Sequence, residues 1–428
     1  MARFPTFAIF YLAALFAWNV YRAATQAFTT DEAYSYKLYI GVEPFNLLHQ
    51  FDANLHVLHS FATWISVKML GLTELTFRLP SLAGCALYFW ATLKITERTQ
   101  PIALFLLTVN PLIEDNMSVG RGYGLALAFF AWAFAGAIEE VPRLPRIGLF
   151  LALSVACNLT FLFPAAGLIA ALMIQHRSAL IRELTGPWLV IAVLFMGIPL
   201  SRLSPDALYF GAPTVALSLQ TLLEHSYGAQ HISLEGGVIA GAIFLVACMA
   251  AALWAFRKSE RFAFLATATF VLTAAAVMAS HTVFGMLLPY ARTGLYFLFL
   301  APLCMIPLAR WKAGVAALAA LTVVMASTNH SSYYMEWRFD ASSREIAQLI
   351  ADRRQSSGAV RVAAAPPLES ALRIYAQMRG AAWNIERANQ WEPGFDFYVF
   401  YDDDKSIQTL GLHEIYSNPV SRIRVATP

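Results

Sequence analysis

Directly behind the first apolar segment of the chain, in the run TTDEAYSY, stand two adjacent carboxylates, Asp31 and Glu32. Carboxylates beside a membrane are expensive to keep charged and usually carry chemistry. The chemistry open to such a pair is proton abstraction by one acid whose neighbour helps to aim it. A second acidic pair, Glu114 and Asp115, precedes Arg121 and Tyr123 in NPLIEDNMSVGRGYGLAL (110 to 127), and LPYARTGLYFLFLAPL (288 to 303) brings Arg292 to the start of a late apolar segment. Arginine suits a phosphate or carboxylate partner, because its planar fork donates paired hydrogen bonds and never loses its charge.

The elements that must position these groups are membrane helices. Of 428 residues 58% are hydrophobic and only 13% charged, and the mean hydropathy is +0.55, a balance expected of a polytopic membrane protein. A net charge of +3 is too small to suggest nucleic acid as a partner. The basic residues fall in short clusters between apolar runs: Arg3; Lys94 and Arg98; Arg143 and Arg146; Arg177 and Arg182; Arg257, Lys258 and Arg261; Arg310 and Lys312. Placing them in the cytoplasm by the positive-inside rule predicts spans near 6–24, 77–96, 100–117, 121–138, 147–163, 164–175, 187–203, 236–256, 263–281, 293–309 and 313–328. This gives about eleven helices with the C-terminus outside. Residues 6–24 also have the look of a signal peptide, with Arg3 in front and RAATQA behind, but their removal would invert every later loop, so they are read as a retained helix. Cys85, Cys157, Cys248 and Cys304 all lie inside expected spans without ligand spacing, which disfavours disulfide and metal readings.

Beyond residue 328 charged residues become frequent. A helical pattern at 341–354, a β-rich VRVAAA, a second helix at 367–378 and a strand-like FDFYVFY predict a small extracytoplasmic α/β domain over 329–428, behind a transmembrane domain of residues 1–328. Asp402, Asp403 and Asp404 follow the last of these segments and read as a turn.

The first outer loop, 25–76, holds about fifty residues, and a connection of that length is usually functional. In NLHVLHSFATWISVKML (54 to 70) the residues His56, His59, Ser60 and Thr63 recur at helical spacing among apolar neighbours, which predicts an amphipathic helix lying in the membrane interface. Thr29 and Glu32 fit a capping box, so Glu32 also has a purely structural reading, and Asp31 could simply favour the helix dipole. His56 and His59 could hydrogen-bond a substrate; two histidines without a third ligand make a poor metal site.

Outer-face cations run against the positive-inside bias and so need a reason. Of 30 Lys and Arg, seven lie outside both the inner clusters and the C-terminal region: Arg22, Lys37, Lys68, Arg78, Arg121, Arg202 and Arg292. Arg121 and Arg292 are the first candidates for binding an anionic group. For Arg78 and Arg202 snorkelling to lipid phosphates is an equal alternative. Glu114 and Asp115 could orient Arg121, bind sugar hydroxyls, hold a cation or simply be solvated.

Together TTDEAYSY, KMLGLTELTFRLPSLAG (68 to 84), NPLIEDNMSVGRGYGLAL and LPYARTGLYFLFLAPL resemble the GT-C membrane glycosyltransferases, in the branch of the protein O-mannosyltransferases and lipid A aminoarabinose transferases. Where many members carry a Pro-Pro pair ahead of the interfacial helix this chain has Asn54, Leu55, His56 and Val57, a departure that bears on acceptor recognition. The resemblance implies a GT-C fold in a bacterial inner membrane with its active site on the extracytoplasmic side. It also implies a polyprenyl-phosphate sugar as donor, a lipid, glycan or protein hydroxyl as acceptor, and a catalytic base at Asp31 with Glu32 beside it. Arg121, Arg292 and Arg78 would hold the donor phosphate, with His56, His59, Glu114, Asp115 and Tyr123 around the substrates. No metal or other cofactor is expected. A flippase for lipid-linked sugars would instead show ionisable residues in mid-span and broken helices in paired halves. A membrane-anchored binding or assembly protein would leave the first loop without a role.

Overall fold

A computed structural model describes residues 6–42, 54–176, 210–227, 233–353 and 360–428, with isolated positions between 186 and 201. The expected span 187–203, Arg202 and the basic cluster Arg177 and Arg182 lie outside the described residues.

Helix α1 (Thr6–Thr25) leads into the short α2 (Thr30–Ser35), which closes in a π-turn over Tyr36–Ile40. Then come α3 (Val57–Leu70), α4 (Glu74–Thr96), α5 (Ile102–Thr108), α6 (Pro111–Ser118), α7 (Gly122–Ala137), α8 (Leu144–Cys157) and α9 (Leu162–His176). After the next described stretch follow α10 (Val215–Tyr227), α11 (Leu234–Arg257), α12 (Arg261–Phe284), α13 (Leu295–Met305) and α14 (Lys312–Ser327). Helix α4 packs against α1 and α7, α7 against α8, and α12 against α9, α11 and α13. The window expected as one span at 100–117 is two helices, because Asn110 caps α6 by accepting from the Leu112 and Ile113 amides, and Pro111 takes the first helical position. Helix α10 was not foreseen.

Four helical stretches are long and apolar enough to cross a membrane, Thr6–Thr25, Glu235–Arg257, Arg261–Phe284 and Ala291–Arg310, and four shorter apolar helices accompany them. The face of α11 carrying Ile239, Ile243, Val246 and Leu253 is exposed. A stripe of that kind needs a hydrocarbon solvent, and the chain is an integral membrane protein. Helix α3 makes the same point in reverse. Its polar residues His59, Ser60 and Thr63 are buried, while Phe61, Ile65, Met69 and Leu70 face outward. The amphipathicity is as read from sequence; which side faces the protein is set by the surrounding lipid rather than by water.

Past α14, helix α15 (Ser343–Asp352) precedes β1 (Val360–Ala364), α16 (Leu368–Met378), β2 (Trp383–Arg387), β3 (Phe397–Tyr401), β4 (His413–Asn418) and β5 (Ile423–Thr427). The strands form one sheet in the order β2-β1-β3-β5-β4. Strand β1 runs parallel to β2 and β3, with Val362 opposite Ile385 and Phe397, and β5 is antiparallel to β3 and β4. Val362, Val399 and Val425 face Ile346, Ile350 and Leu372 of the helices, whereas Ala363, Tyr398 and Phe400 pack on the opposite face with Ile407 and Trp391. This is the period-two alternation of a sheet covered on both sides. The sheet region is tied to the segment from the end of α1 to the start of α4 at three points. Asp340 accepts from the Thr30 amide and hydroxyl at 2.6 and 2.8 Å, the Tyr375 hydroxyl accepts from the Phe28 amide at 2.9 Å, and Arg344 pairs with Glu74 at 2.7 Å.

Candidate active site

The capping box of α2 sets the geometry. The Thr29 hydroxyl accepts from the Glu32 amide at 3.2 Å, and Glu32 Oε2 accepts from the Thr29 amide at 2.8 Å. Glu32 does more than cap, since Arg78 Nε donates to its Oε1 at 2.8 Å, Arg78 Nη2 to its Oε2 at 2.7 Å, and the Gly120 amide to Oε1 at 2.5 Å. Glycine is required for that approach: a Cβ on residue 120 would stand 2.5 Å from the Phe77 ring and 2.8 Å from Glu32 Oε1. The remaining Arg78 donors go to the carbonyls of Ala23, Gln26 and Ala27. All five guanidinium N–H groups are then engaged, and both side chains are fully buried. This corrects two expectations. Glu32 is a cap and a counter-ion with no lone pair turned to a substrate, and Arg78 has no donor left for a phosphate.

One residue earlier in α2, Asp31 points the other way, and its side chain keeps 19% of its surface exposed. Arg292 Nη2 donates to Asp31 Oδ2 at 2.8 Å, and Arg121 Nη2 stands 3.8 Å from the same oxygen. Burial pushes the Asp31 carboxyl up, but the Arg292 and Arg121 guanidiniums outweigh it and hold the group below the usual carboxylate range, helped by the Trp337 indole. Arg292 is reached through Ala291, a buried residue at φ +42° whose amide donates to the Thr221 hydroxyl at 3.1 Å. A left-handed alanine costs about 1 kcal/mol, and here it aims Arg292 across the site. There the guanidinium lies between the rings of Phe210 and Trp337, at 4.4 and 4.9 Å, and its Nη1 bonds Glu336 Oε1 at 3.0 Å. Arg121 is held by Ser35 Oγ at 3.0 Å and Asn54 Oδ1 at 2.7 Å. The Nε of both arginines and Oε2 of Glu336 are buried without a partner among the described residues.

His56 completes this wall. Asn158 Oδ1 accepts from the Thr160 amide and hydroxyl, which turns the Asn158 amide nitrogen toward His56 Nδ1 at 3.2 Å. With Nδ1 accepting, the ring proton sits on Nε2, and Nε2 has no partner among the described residues. Tyr123 packs edge-on against the His56 ring at 4.9 Å. Burial, followed by the Arg121 charge and then His59, holds His56 well below the usual imidazole range. His59, expected beside it, instead bonds Ser81 at 2.9 Å and is buried behind Arg121. Desolvation and Arg121 push its imidazole down to about 3.

Glu114 and Asp115 do not orient Arg121. Asp115 pairs with Arg22 and accepts from the Met335 amide at 2.7 Å, and Glu114 accepts from Asn19 at 2.5 Å. Both carboxylates therefore fasten α6 to α1 and to the chain leaving α14, which corrects the substrate-binding expectation. Glu336 and Trp337 were not singled out in the sequence. Their one signal is YYMEWRFD, an aromatic run with an acid in it just after the last apolar segment. Among the described residues no three His, Cys, Asp or Glu side chains cluster as a cation site.

The chain matches no family model and no curated protein. Among solved structures it is similar to ArnT from Cupriavidus metallidurans, both bound to undecaprenyl phosphate and in the apo state, at 12% identity and a TM-score of 0.47, covering 98% of this chain and 97% of that one. It is also similar to the arabinofuranosyltransferase AftD from Mycobacteria, at 14% identity and a TM-score of 0.48, over 100% of this chain and 40% of that one.

Proposed function

We propose that the protein is a GT-C-type glycosyltransferase with about eleven membrane crossings, moving a hexosyl or pentosyl group from a polyprenyl-phosphate donor to an acceptor hydroxyl at the extracytoplasmic face of a bacterial inner membrane. The observation that carries this reading is the partly exposed carboxylate of Asp31 beside two buried arginines, 2.8 and 3.8 Å away. A base next to paired guanidiniums is what the reaction needs: one group to take a proton and two to receive the phosphate that leaves. Asp31 accepts the proton of the acceptor hydroxyl as that oxygen attacks the anomeric carbon, and the bond to the phosphate oxygen breaks. Arg121 and Arg292 take up the charge on the departing polyprenyl phosphate. A single displacement inverts the anomeric centre. His56 Nε2–H, beside Tyr123, is the donor for a sugar hydroxyl. No metal or other cofactor is invoked. Against a translocation path, the buried and half-buried ion pairs of Glu32, Asp31 and Glu336 gather at α2 rather than along the middle of a span.

The test is incubation of the purified protein with radiolabelled polyprenyl-phosphate sugars and a membrane extract. Label passing to an acceptor with release of polyprenyl phosphate is the expected result. Intact donor crossing the bilayer of proteoliposomes, with no bond broken, would replace the transferase by a flippase. Arg292→Ala should raise the donor KM at least tenfold, roughly the loss of one charge-assisted bidentate contact, whereas Arg292→Lys should recover part of it; equal KM values would separate Arg292 from the donor.

The pH dependence follows from the same groups. Both histidines stay neutral as pH falls through the ordinary imidazole range, and Asp31, held below the usual carboxylate range, stays charged. The base must be unprotonated, so activity is present above its folded pKa and lost as pH falls through it. A pH–rate profile should be flat from about pH 8 to about pH 5. An acid limb near 6.5 would put an ionising imidazole in the mechanism.

A further inference from the structure

Behind α2, on the side away from Asp31, a cleft of about 550 Å³ opens between the segment following α1 and the sheet region. Ala33, Tyr36 and Lys37 line it from α2 and its π-turn. Ala33 lies two residues from Asp31, about 200° around the helix, so the body of α2 separates the two sites. The opposite wall comes from one stripe of α16, with Glu369, Arg373 and Gln377 at i, i+4 and i+8, and from Arg387 at the end of β2.

Two features of this wall ask for a ligand. Glu369 is only 8% exposed, and its Oε2 is buried without a hydrogen-bond partner among the described residues. A buried acceptor left unpaired costs about 1–3 kcal/mol, and among the described residues no ion pair joins Glu369 to the nearby cations. Those cations, Lys37, Arg373 and Arg387, are solvent-exposed side chains on one cleft; Arg373 is braced by a bond to the Ile385 carbonyl. Tyr36 adds a ring whose hydroxyl is fixed by Gln377 Nε2 at 2.9 Å. A carboxylate wanting a hydroxyl donor, an aromatic ring and a surplus of positive charge describe a saccharide that carries an anionic group. The volume suits one or two sugar rings, within the ~300–1,000 Å³ of small-ligand sites.

We infer that this cleft binds an anionic saccharide, a sugar bearing phosphate or carboxylate, as the recognition element of the acceptor. The inference rests on the transferase reading for the word acceptor, though not for binding. Glu369 accepts from ring hydroxyls, and Lys37, Arg373 and Arg387 meet the charge.

The test is equilibrium binding to the full chain in nanodiscs with three probes: trehalose 6-phosphate, digalacturonic acid and neutral trehalose. Trehalose 6-phosphate or digalacturonic acid should bind at least tenfold more tightly than trehalose, and which of the two does so identifies phosphate or carboxylate as the source of the charge. In a Lys37→Ala/Arg387→Ala double variant, which removes two exposed side chains, that preference should fall at least tenfold. Equal binding of all three probes, or an unchanged preference in the double variant, overturns the inference. Binding measured in Asp31→Asn keeps the two readings apart. Preference retained in an inactive Asp31→Asn protein supports both, an active Asp31→Asn protein with the preference intact sinks only the role of Asp31, and an inactive one without it sinks the cleft.

Discussion

Asp31→Asn is expected to lower kcat by about 10²–10⁴, the range over which a positioned general base contributes, while the protein remains folded and inserted. The substitution keeps size and shape, and the side chain is partly exposed rather than built into the core. Arg292 does not lose all its counter-charge, because Glu336 still bonds its Nη1 at 3.0 Å. Removing the Asp31 charge also frees two guanidiniums for the donor phosphate, so the donor KM should stay level or fall while kcat collapses. That split separates a base from a side chain that merely anchors arginines, whose loss would raise the donor KM and leave the chemical step intact. Turnover near that of the wild type would remove Asp31 from the mechanism.

The same site shows what a sequence can and cannot disclose. Local signals were readable because the physics is local: the Thr29–Glu32 capping box spans four residues, and the polar stripe of α3 repeats with the helical period. Apolar windows marked the membrane helices because hydrocarbon demands them. What could not be read is pairing over distance. Arg292 meets Asp31 from 261 positions away, and although the sequence ranks Arg292 ahead of Arg78, it shows the partner of neither. Only the fold shows that Arg78 spends every donor on Glu32 and on the carbonyls that end α1, whereas Arg292 keeps an unpaired Nε. The strands β2, β4 and β5 were missed for a related reason: β2 and β4 are largely exposed, and without an apolar run their extended conformation is decided by the neighbours they pair with.

The division of labour within the acidic pair gives the second large effect. Glu32→Gln should destabilise the protein by about 3–5 kcal/mol, because it leaves the fully buried Arg78 without a counter-charge. The loss would be read as a lower melting temperature and a smaller folded yield in detergent, while the turnover of the molecules that do fold stays within a few-fold of wild type. Arg78→Met should be similarly damaging, since it strands the Glu32 carboxylate. The double variant Glu32→Gln/Arg78→Met should cost clearly less than the sum of the two, as the charges that need each other leave together. A Glu32→Gln protein as stable as the wild type but unable to transfer sugar would reverse the assignment and return Glu32 to the chemistry. The expected pattern, stability lost at residue 32 and turnover lost at residue 31, follows from a helix that turns one carboxylate into a sealed ion pair and its neighbour toward the two arginines of the open site.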